Sequence, residues 1–121
     1  FAQYAGLVNI SNDTVRRDIF YWFVESERDP ANDPLLLWTN GGPGCSGLLG
    51  KLTEQGPFRV AANGTSLERM PYAWNREASV IFVEQPLFTG FSVSDDPSDA
   101  FTNDEINAAR LTTFIVRWLD R

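Results

Sequence analysis

The strongest constraint on the fold is a change of pattern in the middle of the chain. Leu35-Leu36-Leu37-Trp38 is an uninterrupted apolar run, the kind that suits a strand buried on both faces. It leads into Gly41-Gly42-Pro43-Gly44, a segment that only a tight turn accommodates. Leu48, Leu49 and Leu52 then recur at helical spacing between Ser46 and Glu54, until Gly56-Pro57 breaks the pattern. A second apolar run, Val80-Ile81-Phe82-Val83, ends at Glu84-Gln85-Pro86. Two buried-type strands separated by a helix predict a βαβ crossover and therefore an α/β fold.

The flanking segments extend this frame. Gln3 to Ile10 and Asp18 to Ser26 read as a β-hairpin around Ser11-Asn12-Asp13, with Phe20, Trp22 and Val24 on one face. Asp29 to Pro34 is a breaker cluster, and Phe58-Arg59-Val60 is a short strand ahead of a loop from Ala62 to Ser66. Past the polar stretch Ser94 to Asp99, Thr102-Asn103-Asp104-Glu105 reads as a capping box. It opens a helix carrying Ile106, Leu111, Ile115, Trp118 and Leu119 that continues to the last residue without a stop signal.

At 121 residues the chain is one domain or a piece of one. An unterminated amphipathic helix and a parallel-type sheet in so short a chain predict a portion of a larger domain. Phe1-Ala2-Gln3-Tyr4 is neither an initiator nor the start of a signal peptide, so a mature or trimmed chain is expected. No apolar run approaches the roughly 18 residues of a membrane span, which predicts a soluble chain.

Composition narrows the chemistry. A formal charge of −6 removes the basic footprint that nucleic acid or an anionic membrane surface requires, so neither is expected as a partner. The chain has no histidine, so a Ser-His or Cys-His machine and a His-ligated metal site cannot be complete within it. Its single cysteine, Cys45, excludes an internal disulfide and a Cys-rich zinc cage. No metal and no cofactor is expected. Asn9-Ile10-Ser11, Asn12-Asp13-Thr14 and Asn63-Gly64-Thr65 are glycosylation sequons, where this composition gives about one by chance.

The glycine turn admits more than one reading on its own. Gly42-Pro43-Gly44-Cys45-Ser46-Gly47 satisfies the G-x-G-x-x-G dinucleotide pattern between a strand and a helix. Against it, the strand does not open the domain, and Pro43 removes an N–H that would face a pyrophosphate. A phosphate-binding Walker loop is excluded, because Leu52 follows Gly50-Lys51 where Ser or Thr is needed and Cys45 stands at its first glycine. Glycines that merely permit a tight turn are the remaining plain alternative.

The longer run Trp38-Thr39-Asn40-Gly41-Gly42-Pro43-Gly44-Cys45-Ser46-Gly47 resembles the signature of the serine carboxypeptidases. The resemblance continues in order through Gln3-Tyr4-Ala5-Gly6, Glu54 with Gly56-Pro57-Phe58, Pro71-Tyr72-Ala73-Trp74-Asn75, and Glu84-Gln85-Pro86 with Gly90-Phe91-Ser92. It covers essentially the whole chain. It implies residues 1–121 as the N-terminal portion of a single α/β-hydrolase domain, part of an enzyme that removes C-terminal amino acids from peptides through a Ser-Asp-His triad. The nucleophile elbow, the aspartate and the histidine of that triad are absent from this sequence. Ser46 lacks the G-x-S-x-G setting of such a nucleophile, and neither Ser46 nor Ser92 has a histidine to activate it.

By the same resemblance, the backbone N–H of Gly42 is half of an oxyanion hole, the donor set that stabilises charge developing on the carbonyl oxygen. Asn40 and Gly41 match positions that bind the substrate's free C-terminal carboxylate. Glu54 matches a glutamate that binds it through a proton shared with a second carboxyl group. Two adjacent carboxyl groups resist double ionisation, so acid-favoured activity follows. Cys45 matches a cysteine whose disulfide partner lies outside this sequence. Thr39, Leu49, Met70 and Phe88-Thr89 depart from the common pattern, and Leu49 would make the leaving-group pocket more apolar. The expected partners are peptide or protein C-termini and the remainder of the hydrolase domain. The expected location is the secretory pathway, either vacuolar, lysosomal or extracellular. Relatives that use this scaffold for acyl transfer or hydroxynitrile cleavage, and a truncated non-catalytic chain or partner subunit, are the alternatives.

Overall fold

In the computed structural model, which describes residues 1–121, strand β1 (Gln3–Asn9) and strand β2 (Arg17–Val24) form the expected hairpin. They pair antiparallel from Gln3 opposite Val24 to Asn9 opposite Asp18. Asn9 Oδ1 accepts from Ser11 N and Asp13 Oδ1 accepts from Val15 N, side-chain turns that explain why polar residues cluster at this bend. The remaining elements in order are β3 (Leu35–Thr39), α1 (Gly47–Thr53), β4 (Phe58–Val60), β5 (Leu67–Arg69), β6 (Ser79–Val83), β7 (Val93–Ser94) and α2 (Asp104–Leu119).

The main sheet runs β1-β2-β6-β3, with β7 continuing the antiparallel pairing on β2. β3 and β6 lie parallel, from Leu35 beside Ser79 to Thr39 beside Val83, so the predicted crossover is present. The chain between them forms α1 and a separate β4–β5 hairpin. Both sheet faces carry apolar side chains. On one, Val8, Ile19, Ile81 and Val83 pack with Phe114 of α2, flanked by Tyr21, Phe23 and Trp118. On the other, Val24, Val80 and Phe82 pack with Trp22 and Trp38. Phe114 is fully buried, and truncating such a side chain typically costs about 3–5 kcal/mol.

Four expectations change. The run Leu35–Leu37 is not buried on both faces, since these residues are 36–45% exposed. Within residues 1–121 β3 has β6 as its one neighbour, which leaves its other edge and these leucines uncovered. In α1 the buried face is Gly47, Gly50 and Lys51 rather than the leucines, and Leu49 is half exposed. A Cβ at Gly47 would overlap the carbonyl of Val83, and one at Gly50 would overlap the Trp38 indole, so the helix packs through its glycines. The cap of α2 is Asn103, whose Oδ1 accepts from Ile106 N at 2.9 Å, while Thr102 lies outside and donates its hydroxyl to Asn107 Oδ1. Finally, β5 follows directly on the expected loop Ala62–Ser66, and β7 takes in Ser94 at the start of the expected polar stretch, two places where no strand is expected. No helix is long and apolar enough to cross a membrane.

Candidate functional site

The site lies where β3 and β6 end, the side of a parallel pair at which α/β folds bind ligands. Trp38 Nε1 donates to Asn40 Oδ1 at 2.9 Å, and Gly50 N of α1 approaches the same oxygen at 3.4 Å. The carbonyl of the Asn40 side chain is thus occupied by the scaffold, while its Nδ2 has no acceptor within the chain. One residue on, Gly41 O accepts from Cys45 N at 3.1 Å and closes the turn. The backbone N–H groups of Gly41 and Gly42 have no acceptor within the chain, and both residues are exposed.

Gly42 is glycine for a physical reason. Its φ is +129°, and a Cβ there would press on Gly44 N, Cys45 N and Cys45 Sγ at 3.1–3.3 Å. The peptide bonds Gly42–Pro43 and Gln85–Pro86 are both cis. Asn40, Gly41, Gly42 and Pro43 form one wall of a cleft of about 440 Å³. Gln85 and, from α2, Asp104, Asn107, Ala108 and Leu111 form the other. Three residues with N–H donors that lack internal partners therefore line one cleft.

Glu54 stands apart from this cleft. It caps the C-terminal end of α1, exposed, with its backbone N–H on Gly50 O at 3.0 Å and no partner for its carboxylate within the chain. Gly50 joins the two places, because it contacts Asn40 through its N–H and Glu54 through its carbonyl. Cys45 is an exposed free thiol. Among the sequons, Asn9 Nδ2 is held by Asp18 Oδ1 at 2.9 Å, whereas Asn12 and Asn63 are exposed and bonded only through Oδ1.

Neither serine excluded as a nucleophile has a free hydroxyl. Ser46 is the N-cap of α1, accepting from Leu48 N and donating to Glu84. Ser92 is buried, accepting from Phe20 N at 2.8 Å and donating to Glu84 O at 2.5 Å.

Two residues escaped sequence reasoning. Glu84 is 1% exposed, and its carboxylate takes the Ser46 hydroxyl and the Phe91 N–H. Its signals were its place at the end of an apolar strand and in the run Glu84-Gln85-Pro86 with Gly90-Phe91-Ser92, neither of which reports its burial. Lys51 is 2% exposed with its Nζ 3.7 Å from the centroid of the Trp22 ring. Burial without an acidic partner pushes its pKa down to about 8. The signal for Lys51 was its position four residues after Gly47 and beside Gly50, on the face where glycines admit close packing.

The sequence model described as serine carboxypeptidase matches residues 1–121. Serine carboxypeptidase-like 36 of Arabidopsis thaliana is 46% identical over 121 residues, covering 100% of this chain and 25% of the relative. Lysosomal protective protein of Mus musculus is 48% identical over 106 residues, 88% of this chain and 22% of the relative. P-(S)-hydroxymandelonitrile lyase of Sorghum bicolor is 46% identical over 123 residues, 100% of this chain and 24% of the relative. Among solved structures, that of Kex1(delta)p, a prohormone-processing carboxypeptidase from Saccharomyces cerevisiae, superposes with a TM-score of 0.83 at 30% identity. That match covers 98% of this chain and 27% of the other. The chain spans about a quarter of the length of the curated relatives it matches.

Proposed function

Because the chain belongs to the serine carboxypeptidase family and has its α/β-hydrolase fold, we propose that it is the N-terminal portion of a serine-type carboxypeptidase. The reaction is hydrolytic release of C-terminal amino acids from peptides. The observation that carries this reading is the set of three unpartnered donors on one cleft: the side-chain amide of Asn40 and the backbone N–H groups of Gly41 and Gly42. A site of N–H donors suits a peptide's terminal carboxylate and the oxyanion of acyl transfer, the two anions that an exopeptidase must hold.

In this mechanism Gly42 N–H points at the oxyanion, and a second donor comes from the remainder of the hydrolase domain. Asn40 Nδ2 and Gly41 N–H take the substrate carboxylate. Glu54 shares a proton with a carboxyl group from that remainder, which favours activity under acidic conditions. A Glu54→Gln variant of the whole protein is expected to lose the acid preference of its peptidase profile, and an unchanged profile would remove Glu54 from the site. Residues 1–121 alone hold no nucleophile or general base of the triad, so catalysis belongs to the whole protein. Passage through the secretory pathway to a vacuolar, lysosomal or extracellular location is supported by a relative named as lysosomal and by exposed sequons at Asn12 and Asn63. A disulfide from Cys45 would need a partner outside this sequence.

A second reading follows from the 46% identity to a hydroxymandelonitrile lyase. Assays of the whole protein with an N-blocked dipeptide, with an activated ester plus an acceptor alcohol, and with an aromatic cyanohydrin separate the cases. Release of a free amino acid is the expected result. Transfer from the ester would make it an acyltransferase, and release of aldehyde and cyanide would make it a lyase. Inactivity in all three would leave a non-catalytic chain or partner subunit.

A further inference from the structure

Glu84 is a buried carboxylate at the junction of three segments, and the proposed chemistry leaves it without a role. Its backbone follows the last residue of β6, with its N–H on Phe20 O at 3.0 Å and its carbonyl taking the Ser92 hydroxyl. Of its side chain, Oε1 accepts from the Ser46 hydroxyl and Oε2 from Phe91 N at 2.5 Å. Gly90, at a φ of +53°, lies against the carboxyl group so closely that any Cβ there would overlap it. Neither hydrogen-bond partner is charged, although burying a carboxylate without a cation is costly. A group kept in so unfavourable a place holds something that a neutral apolar residue would not.

What it holds is the turn that carries the donors. Ser46 caps α1 and follows Gly42 by four residues, within a turn already closed by the bond from Cys45 N to Gly41 O. Gly47, next in sequence, abuts the carbonyl of Val83, so the start of α1 has no slack against the end of β6. Gln85, next after Glu84, forms the opposite wall of the cleft. A shift of the carboxylate would move both walls. We propose that Glu84 is a positioning residue, which fixes the N–H groups of Gly41 and Gly42 by tying the N-cap of α1 and the Phe88–Ser92 loop to the end of β6. This rests on the carboxypeptidase reading for its catalytic consequence, and on the hydrogen bonds alone for its structural one.

The test uses the whole protein as wild type, Glu84→Ala, Glu84→Gln and Ser46→Ala. The amide of the glutamine variant can accept from Phe91 N–H and donate to the Ser46 oxygen, so it keeps both contacts without the charge. Two quantities are measured: amide hydrogen exchange across residues 40–48 and 86–92, and kcat and KM for an N-blocked dipeptide, with kcat expressed per site titrated by a serine-directed phosphonate. For Glu84→Ala, exchange in both segments should rise by about tenfold or more while the β1–β2 hairpin is unchanged, since local opening is governed by local contacts. Its kcat per titrated site should fall by about 10–100-fold with KM within about threefold, the pattern of a misplaced transition-state donor. Glu84→Gln should recover most of that loss. Ser46→Ala should show the same direction in both quantities and serves if the alanine at 84 does not fold. Unchanged exchange, or an unchanged kcat per titrated site beside a lowered thermal midpoint, would overturn the proposal. A wild-type protein that releases no amino acid would overturn the carboxypeptidase reading instead, and the exchange result would then decide by itself whether Glu84 holds the turn.

Discussion

Gly42 couples backbone geometry to the proposed chemistry most directly, since its φ of +129° requires glycine and it lines the cleft with its N–H unpartnered. Gly42→Ala in the whole protein should lower kcat by on the order of 10²–10³-fold, the usual cost of losing one oxyanion donor. Steady-state kinetics checks it, and a kcat within about threefold of wild type would place the oxyanion elsewhere. Lys51 offers a stability test. Its pKa falls from 10.5 in the unfolded chain to about 8 in the fold, so the unfolded state binds more protons between those values. Stability should therefore rise as pH increases from about 8 toward 10.5. Lys51→Met keeps the bulk, removes the buried charge and should stabilise the whole protein at pH 7 by about 1–3 kcal/mol, abolishing that alkaline gain. Denaturant unfolding at pH 7 and pH 10 reads both effects. At this scale the sequence exposed Asn40, Gly41 and Gly42 because they sit in one continuous motif. It hid Glu84 and Lys51 because their burial depends on contacts with distant segments, Glu84 with Ser46 and Lys51 with Trp22.

At the scale of elements, α2 is held by its cap and by a charged clip. Asn103→Ala should cost about 1 kcal/mol in denaturant unfolding, and Thr102→Ala clearly less, because only Asn103 bonds a first-turn N–H. Equal losses would restore the capping box to Thr102. Asp99 joins β2 to α2 by accepting from Arg17 Nε at 2.6 Å, from Arg110 and from the Ser94 hydroxyl. Burial raises its pKa, but Ser94, Arg17 and Arg110 together hold it below the ordinary carboxylate value. A depressed carboxylate contributes stability above the unfolded pKa of about 4 and loses it as the pH falls below that. Asp99→Asn should accordingly lower stability at pH 6 and flatten its decline toward pH 3. Hairpin pairing and the crossover were legible because periodicity and breakers record them. The apolar run of β3 reads as a strand buried on both faces, and within these residues β6 alone flanks it. β5 and β7, of three and two residues, are too short to carry a pattern.

Across the whole molecule, one side of the sheet remains open. β3 has a free hydrogen-bonding edge, and beside it Leu35, Leu37, Ile81, Ile115, Trp118 and Leu119 line an apolar groove. An open edge next to an apolar surface favours association. Residues 1–121 produced alone should bind a hydrophobic dye and self-associate, whereas the whole protein should do neither. Sedimentation velocity with dye fluorescence compares them. The central claim, that Asn40, Gly41 and Gly42 serve an enzyme which reads a free C-terminus, is tested most directly by giving the whole protein one peptide in two forms. One form ends in a free carboxylate, the other in its amide, and the release of the last residue is followed by mass spectrometry. The account predicts stepwise loss of single residues from the acid and a rate at least about 100-fold lower on the amide, as expected when donors built for a carboxylate meet a neutral group. Equal rates on the two forms, or cleavage within the chain, would contradict it.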